Sequence, residues 1–229
     1  MTFRSLSRRA RLVLIALLGA LPVLAACTPT TAVAGNPSDY STNFAAGQRL
    51  RWNPCATVPW KADLRNAPPG TLSAIQAAVA TLQAKSGIPF VYKGTTSYIP
   101  QKGGFASQPS SLVVSFGRGP GRPSSSNYLS GGSMVGYGGY QATGRYVNGK
   151  VVYQITKGFV VLDADRYPFL SSHVRNGLLL HELGHAVGLN HAKYRAELMY
   201  PTISSSSPRG YAAGDLSGLR LVGRPAGCL

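Results

Sequence analysis

The chain has 229 residues, of which 44% are hydrophobic, so it is apolar enough to fold and long enough for one good-sized core or at most two small domains. It carries 23 Lys and Arg against 7 Asp and Glu, a formal net charge of +16 at pH 7. This charge favours anionic partners such as acidic lipid or cell-wall polymer. No nucleic-acid partner is expected, because no nucleic-acid-binding motif or basic helix is found.

Residues 1–26 have the pattern of an export signal. Basic residues precede an apolar run from Leu12 to Leu21, which is too short to span a membrane comfortably. The sequence Leu24-Ala25-Ala26-Cys27 follows and resembles a bacterial lipobox, in which the cysteine becomes the lipidated first residue. The alternative is ordinary cleavage that leaves Cys27 as a spare thiol, and Arg8-Arg9 leaves twin-arginine export open. We predict a lipoprotein signal peptide and a domain anchored outside the bacterial cell membrane through Cys27.

Residues 27–47 are small and polar and include two prolines, so they are predicted to form a flexible tether before a domain at 48–229. With Cys27 lipidated, Cys55 and Cys228 remain as an even pair of cysteines in an exported chain. Such a pair predicts a disulfide that joins the beginning of the domain to its end.

The first half of the domain has the pattern of an α/β unit. A short strand is predicted over Val58 to Lys61, and Pro68-Pro69-Gly70 breaks the chain before a helix from Thr71, as its cap, to about Ser86. Phe90-Val91-Tyr92 and Leu112 to Phe116 are the next predicted strands. This order of strand, helix, strand and strand begins an α/β-type sheet.

The stretch 117–145 is rich in glycine and has the weakest structural signals, although Met134 to Tyr137 could form an edge strand. Asn148-Gly149 between two short apolar runs predicts a β-hairpin. Gly158 to Asp163 reads as a buried strand, and a helix is predicted from about Ser172 to Leu189 with an apolar back and a histidine-bearing front.

The most specific pattern is H-E-x-x-H-x-x-G-x-x-H over residues 181–191. His181 and His185 are four residues apart, so a helix presents both to one metal ion, and Gly188 lets the chain turn back with His191 as third ligand. Glu182 can then take a proton from a water at the metal. Three neutral nitrogens with an open fourth position indicate a catalytic zinc site rather than a closed structural one. An alternative to the predicted disulfide is that Cys55 coordinates this metal as an inhibitory thiolate.

From Arg49 to Gly223 the sequence resembles the metzincin metallopeptidases, and within them the matrixin-like group. Besides the zinc motif, Leu198-Met199-Tyr200-Pro201 is similar to the Met-turn of that family, and Gly214 to Gly223 resembles its closing helix. The resemblance implies an α+β fold with a twisted mixed sheet, and it implies that Met199 supports the zinc site from below. Asp215 is expected to cap the closing helix or to reach backbone near the Met-turn.

The function that the resemblance implies is that of a zinc endopeptidase acting on extracellular or cell-surface proteins, with Glu182 as general base. A substrate peptide would pair with an edge strand, here Met134 to Tyr140. The substrate side chain that follows the scissile bond would enter a pocket walled by Tyr200 to Tyr211. A monomer is expected.

Several sequence features depart from the family or leave its interpretation open. Met199 is followed by Tyr200, Pro201 and Thr202, so no tyrosine ligand is expected two positions after the methionine. His173 is interpreted as a surface residue at a helix start, and a second zinc is not expected. A calcium site including Asp163 and Asp165 is a weaker prediction than capping of strand ends by these residues. The alternative functions are a non-cleaving surface-anchored binding module and a hydrolase of peptidoglycan cross-links.

Overall fold

The computed structural model describes residues 34–229, which form one compact unit with its own core. Nine strands and three α-helices are found in this part of the chain. The strands are β1 Ser41–Thr42, β2 Phe44–Ala45, β3 Gln48–Arg49, β4 Val58–Asp63, β5 Phe90–Thr95, β6 Leu112–Gly117, β7 Gly136–Val147, β8 Lys150–Asp163 and β9 Leu189–Asn190. The helices are α1 Thr71–Ser86, α2 Ser172–Ala186 and α3 Ala213–Val222.

The central element is a five-stranded mixed sheet in the order β5-β4-β6-β8-β7. The first four strands of this order, β5, β4, β6 and β8, are parallel to one another. Only the edge strand β7 is antiparallel, and it pairs with β8. The main core lies between this sheet and the helices, and β6 in its middle is buried along its whole length. The predicted α+β class with a mixed sheet is therefore confirmed.

Helix α1 begins and ends at the predicted residues, because Ile75, Val79 and Leu82 give it a continuous buried face. Its predicted cap is wrong. Gly70 occupies the N-cap position at φ 78°, and the Thr71 hydroxyl donates instead to the Pro68 carbonyl at 2.6 Å. Gly70 adopts the left-handed conformation of that position without strain, and no side chain caps the helix there.

Strands β7 and β8 form one long hairpin, whereas the sequence pattern predicts separate short elements in this region. The turn at Asn148 and Gly149 is found as predicted, with φ values of 50° and 76°. The residues before it, assigned to the stretch with the weakest signals, pair with β8 down to Gly136. Cross-strand pairing with the apolar β8 overrides the low strand propensity of the β7 glycines.

Residues 34–45, which we call the N-terminal strap, lie against the domain, although the sequence analysis assigned them to the tether. Ala34 accepts a backbone hydrogen bond from Ala213 at 2.9 Å, and Asn36 donates its backbone N–H to Glu197 at 2.6 Å. The strap then pairs with β9 through β1. The folded unit therefore begins before residue 48, because these polar residues obtain partners from buried carboxylates and free backbone groups.

The closing helix α3 is found where it was predicted, but Asp215 is not its N-cap residue. Ala212 takes that position, and Asp215 accepts the Ala212 N–H at 2.8 Å from the third helical position. The same carboxylate accepts hydrogen bonds from the backbone N–H groups of Leu198 and Met199, at 2.7 and 3.1 Å. The predicted contact between Asp215 and the Met-turn is thus confirmed.

Cys55 and Cys228 form the predicted disulfide across 173 residues. Cys55 is therefore not a thiolate ligand of the metal. Among residues 34–229, no helix is long and apolar enough to cross a membrane. Cys27 and the predicted signal peptide lie outside the described residues.

Replacing both cysteines by serine is expected to lower the free energy of unfolding by about 5 kcal/mol, because the unfolded chain regains the freedom of a very long loop. Urea titration of the Cys55→Ser/Cys228→Ser variant checks this value. Wild-type protein under reducing conditions is the matched control and should unfold at the same urea concentration as the variant. Equal stability of the variant and the oxidised wild type would contradict the prediction.

Candidate metal centre

Three histidines converge at the end of α2. The Nε2 atom of His185 lies 3.1 Å from the Nε2 atoms of both His181 and His191. These are the only three residues of the described chain whose ligand atoms form a cluster of this kind. The structure thus brings together all three residues that the spacing of the motif predicted.

The third ligand reaches the site because the chain reverses at Gly188. Helix α2 ends at Ala186, earlier than predicted, and Gly188 has a φ of +105°, which side chains resist. A methyl group on Gly188 would also lie 2.6 Å from the Leu50 carbonyl oxygen. Both the conformation and the space therefore require glycine between the two arms of the motif.

The hydrogen bonds of the imidazoles determine which nitrogen is free. Nδ1 of His181 lies 2.8 Å from the Leu198 carbonyl oxygen, and Nδ1 of His185 lies 3.0 Å from that of Leu189. A carbonyl oxygen only accepts, so each Nδ1 must carry the hydrogen, and in the neutral ring each Nε2 has a bare lone pair. The short separation of these Nε2 atoms is therefore not a hydrogen bond, because neither nitrogen has a proton to donate.

Two lone pairs facing each other at 3.1 Å repel unless a cation lies between them. A tetrahedral zinc ion bound at its usual distance needs neighbouring nitrogens roughly 3.3–3.4 Å apart. The observed separation is close to this requirement, and the Nδ1–H bonds supply the outer shell that normally orients zinc-bound histidines. The three residues therefore fit a zinc ion.

Burial keeps these imidazoles neutral. It lowers the pKa of His181 to about 4 and, with His181 beside it, that of His185 to about 3. The pKa of the more exposed His191 is also lowered by burial. All three are consequently available as ligands at neutral pH.

Glu182 lies beside the histidines, only 5% exposed, with its carboxylate towards strand β7. Burial raises its pKa to about 8, and the backbone N–H of Gly138 opposes this rise by a hydrogen bond. A methyl group on Gly136 would lie 2.9 Å from Oε1 of Glu182, and one on Gly138 would lie 2.7 Å from its carbonyl carbon. Glycine at both positions lets the edge strand pass directly over Glu182. No local pattern in the sequence indicates this requirement.

Met199 packs against helix α2 next to Gly184. It is almost fully buried, and a methyl group on Gly184 would lie 2.5 Å from its sulfur. Gly184 sits between His181 and His185 on α2, so the thioether packs against the helix at the level of the metal ligands. The adjacent Leu198 carbonyl accepts from His181, and Asp215 holds the backbone of both turn residues.

A cleft of about 780 Å³ opens over the three histidines and Glu182. Residues 133–140, which include the first part of edge strand β7 and the segment before it, line this cleft. Another part of its lining is mostly apolar and consists of Leu170, Val174, Leu178, Pro201, Thr202 and Ile203. The predicted wall from Tyr200 to Tyr211 is thus narrowed to residues 201–203, joined by side chains from α2 and the turn before it.

Two predictions for other polar residues are corrected or refined. Asp163 and Asp165 face guanidinium groups rather than an open cation site: Arg166 pairs with Asp163 at 3.7 Å, and Arg118 pairs with Asp165 at 3.1 Å. Asp163 also accepts the Asp165 N–H at 2.9 Å, which is the predicted strand-end capping. His173 is half-buried, and its Nε2 lies 2.9 Å from the Ser207 carbonyl oxygen, so it ties the loop after the Met-turn to the start of α2.

A comparison with protein families finds that residues 141–220 match the matrixin family. This segment includes all three histidines, Glu182, Met199 and Asp215, and it supports a metallopeptidase at the level of the family. The mixed sheet and the three helices are consistent with the matrixin fold. No curated protein matches the chain.

The metal-free protein is expected to lose stability on acidification. The pKa of His181 is about 4 in the folded chain and about 6.5 in the unfolded one, so between these values the unfolded chain binds more protons. The free energy of unfolding therefore falls as the pH drops below 6.5, by on the order of 2 kcal/mol at pH 5 for this group. Urea titrations at pH 7 and pH 5 in the presence of a chelator measure the effect.

A His181→Gln variant is the control for this prediction, because it removes the titrating group. Its stability should change less between the two pH values than that of the wild type, by about the same 2 kcal/mol. Identical pH dependence in both proteins would show that His181 does not cause the acid sensitivity.

Proposed function

We propose that this protein is a zinc-dependent endopeptidase. The observation that carries the proposal is the pair of unprotonated Nε2 atoms 3.1 Å apart, beside a buried carboxylate and at the base of an open cleft. A structural zinc site would be closed by a fourth protein ligand, whereas this one opens towards a cleft of about 780 Å³. His181, His185 and His191 would hold the ion.

A zinc ion bound there supplies a Lewis acid that polarises the scissile carbonyl and makes water a better nucleophile. The other steps belong to the protein. Glu182 is the general base: its carboxylate takes the proton from the attacking water and then gives it to the departing amine. The surrounding burial suits both roles, because it raises the pKa of Glu182 from that of an ordinary carboxyl group towards neutrality and so makes the transferred proton easier to hold.

The free edge of β7 is the proposed binding site for the substrate backbone. In the described part of the chain this strand pairs only with β8, so its other edge can accept an extended peptide as an additional strand. The Tyr137 ring stacks on Tyr128 at 5.0 Å, in a cluster with Phe159, which holds the strand at its cleft end. Gly136 and Gly138 keep the face towards Glu182 free of side chains.

The apolar wall of the cleft is the proposed pocket for the side chain that follows the scissile bond. Leu170, Val174, Leu178 and Ile203 present no charge there. A charged side chain would lose its hydration without gaining a partner, so apolar residues are favoured at this substrate position.

Replacing Glu182 by glutamine is expected to lower the rate of casein cleavage roughly 100-fold or more, because general-base catalysis is lost. The variant should keep its zinc, since its histidines are unchanged. Asp165→Asn is the matched control: it makes the same replacement at a carboxylate outside the cleft and should cleave at the wild-type rate. The non-acylated chain from residue 28 is suitable for both assays, because it contains the whole compact unit. Full activity of the Glu182→Gln variant would overturn the assigned mechanism.

Assays of the same protein on casein and on purified cell wall distinguish the two alternative functions. A binding module would hold zinc and cleave neither casein nor purified cell wall, although a buried carboxylate beside the metal site would then serve no purpose. A peptidoglycan hydrolase would release fragments from cell wall and leave casein intact. Cleavage of casein that stops on removal of zinc with a chelator supports the endopeptidase.

We further propose that the domain is exported and anchored to the outer face of the bacterial cell membrane through a lipid on Cys27. The disulfide supports this location, since such bonds persist in oxidising compartments. Metabolic labelling with a fatty acid is expected to mark the wild type and a Thr28→Ala control but not a Cys27→Ala variant. Labelling of the Cys27→Ala variant would contradict the proposed anchor.

A further inference from the structure

Almost all the acidic residues of this protein are buried. All seven lie in the described part of the chain, and six of them are buried: Asp39, Asp63, Asp163, Glu182, Glu197 and Asp215. The seventh, Asp165, is paired with Arg118 and Arg122. No carboxylate side chain in this part of the protein is therefore available to neutralise basic groups elsewhere on the surface.

The basic residues, in contrast, are mostly unpaired. Of the 23 in the chain, four precede Cys27, which leaves 19 in the described part. Only Arg65, Arg118, Arg122 and Arg166 among these form ion pairs with acidic side chains. The folded unit thus presents a surface of one sign, and its basic groups attract anions from solution.

Several of these cations lie with tyrosines where the N-terminal strap joins the domain. We call Tyr40, Lys193, Tyr194, Arg195 and Arg220 the tether-exit patch. The backbone N–H groups of Lys193 and Tyr194 donate to the Asp39 carboxylate at 2.8 Å, which places both residues beside the strap. Tyr40 and Arg220 line one shallow cavity next to it.

The side chains of this patch are available to a partner. Tyr194 is 57% exposed and Tyr40 is 38% exposed. Lys193, Arg195 and Arg220 are exposed as well, and the Arg195 guanidinium lies 5.0 Å from the centre of the Tyr200 ring. Tyrosine beside lysine and arginine is the combination that proteins use at the boundary between membrane and water, where the ring enters the headgroup layer and the cation meets lipid phosphate.

The length of the chain before the strap restricts where the patch can lie. The strap is held from its first described residue, since Ala34 accepts from Ala213 and Asn36 donates to Glu197. Only six residues separate the proposed anchor Cys27 from Ala34, and the seven Cα–Cα steps between the two span at most about 25 Å in a fully extended chain. If Cys27 is in the membrane, the beginning of the strap cannot be farther from the lipid surface than this.

We propose that the tether-exit patch docks on the anionic phospholipid headgroups of the membrane that holds the lipid anchor. This inference rests on the proposed anchoring through Cys27. Charge complementarity and the short connection both favour the membrane as the partner. The exposed tyrosines favour lipid over a soluble anionic polymer, because a polymer would need only the cations.

Docking would also determine where the enzyme works. Asn43 lies three residues beyond Tyr40 on the strap and lines the cleft together with His191. Three extended residues span about 10 Å, so the cleft lies close to the docked patch. The substrates expected for such an enzyme are extended segments of proteins near the membrane surface.

The test measures binding of the non-acylated chain from residue 28 to lipid vesicles by co-sedimentation. Binding is expected to mixed phosphatidylglycerol–phosphatidylcholine vesicles and not to pure phosphatidylcholine vesicles. The Lys193→Gln/Arg195→Gln/Arg220→Gln variant should bind the mixed vesicles roughly 100-fold more weakly, at about fivefold for each cation removed. Tyr194→Ser should also weaken this binding.

Two matched controls test whether the position of these residues matters. Lys93→Gln/Lys102→Gln/Lys150→Gln removes the same charge from exposed positions outside the patch, and Tyr146→Ser removes a tyrosine that is 81% exposed on β7. Both controls should bind nearly as well as the wild type. Equal losses in the two triple variants would overturn docking through the patch, because they would indicate diffuse charge attraction.

Binding to polyphosphate tests whether the partner is a soluble anionic polymer. Binding of polyphosphate but not of the mixed vesicles, or vesicle binding that is unchanged by Tyr194→Ser, would overturn the assignment of lipid as the partner. Casein cleavage by the patch variants, Lys193→Gln/Arg195→Gln/Arg220→Gln and Tyr194→Ser, is assayed separately and should be normal. Loss of vesicle binding therefore tests the patch, whereas failure to cleave casein tests the proposed function.

Discussion

The hydrogen bonds from the Nδ1 atoms of His181 and His185 to backbone carbonyls are the constraint on which the metal site depends. They select the tautomer of each ring and direct both Nε2 lone pairs to one point. The two carbonyls belong to Leu198 in the Met-turn and to Leu189 in β9, so the site requires both segments in place. The zinc motif supplies the ligands, and the chain around it orients them.

Buried carboxylates hold those segments. Asp215 accepts the backbone N–H groups of Leu198 and Met199, while Glu197 accepts from Asn36, Gly214 and Asp215. Asp39 performs the same task for the loop after His191. A buried carboxylate that lost these partners would be costly, so each one fixes the backbone that it contacts. Because these carboxylates are buried inside the domain, they do not neutralise the basic residues of the surface, which is strongly cationic. The burial that holds the metal site in place therefore also favours the proposed attraction to lipid.

Edge strand β7 connects the fold to the chemistry. It pairs with β8 on one side and leaves the other edge for a peptide, and its glycines allow it to lie on Glu182. Glu182, the proposed general base, is thereby buried between α2 and the strand that is proposed to bind substrate. Binding of a peptide along this edge would complete the enclosure of the carboxylate, so the recognition of substrate and the environment of the base involve the same few residues.

Local pattern determined much of this protein. The periodicity of α1, the Asn148-Gly149 turn and the zinc motif each depend on neighbouring residues, so His181, Glu182, His185, His191 and Met199 could all be predicted from sequence. The position of the strap and the full length of β7 could not be predicted in this way. Their partners lie far away along the chain, such as Glu197 for Asn36, and no local pattern of the strap reveals a buried acceptor more than 160 residues distant. Polar residues that look like tether in the sequence become part of the domain because folding brings a carboxylate to their N–H groups.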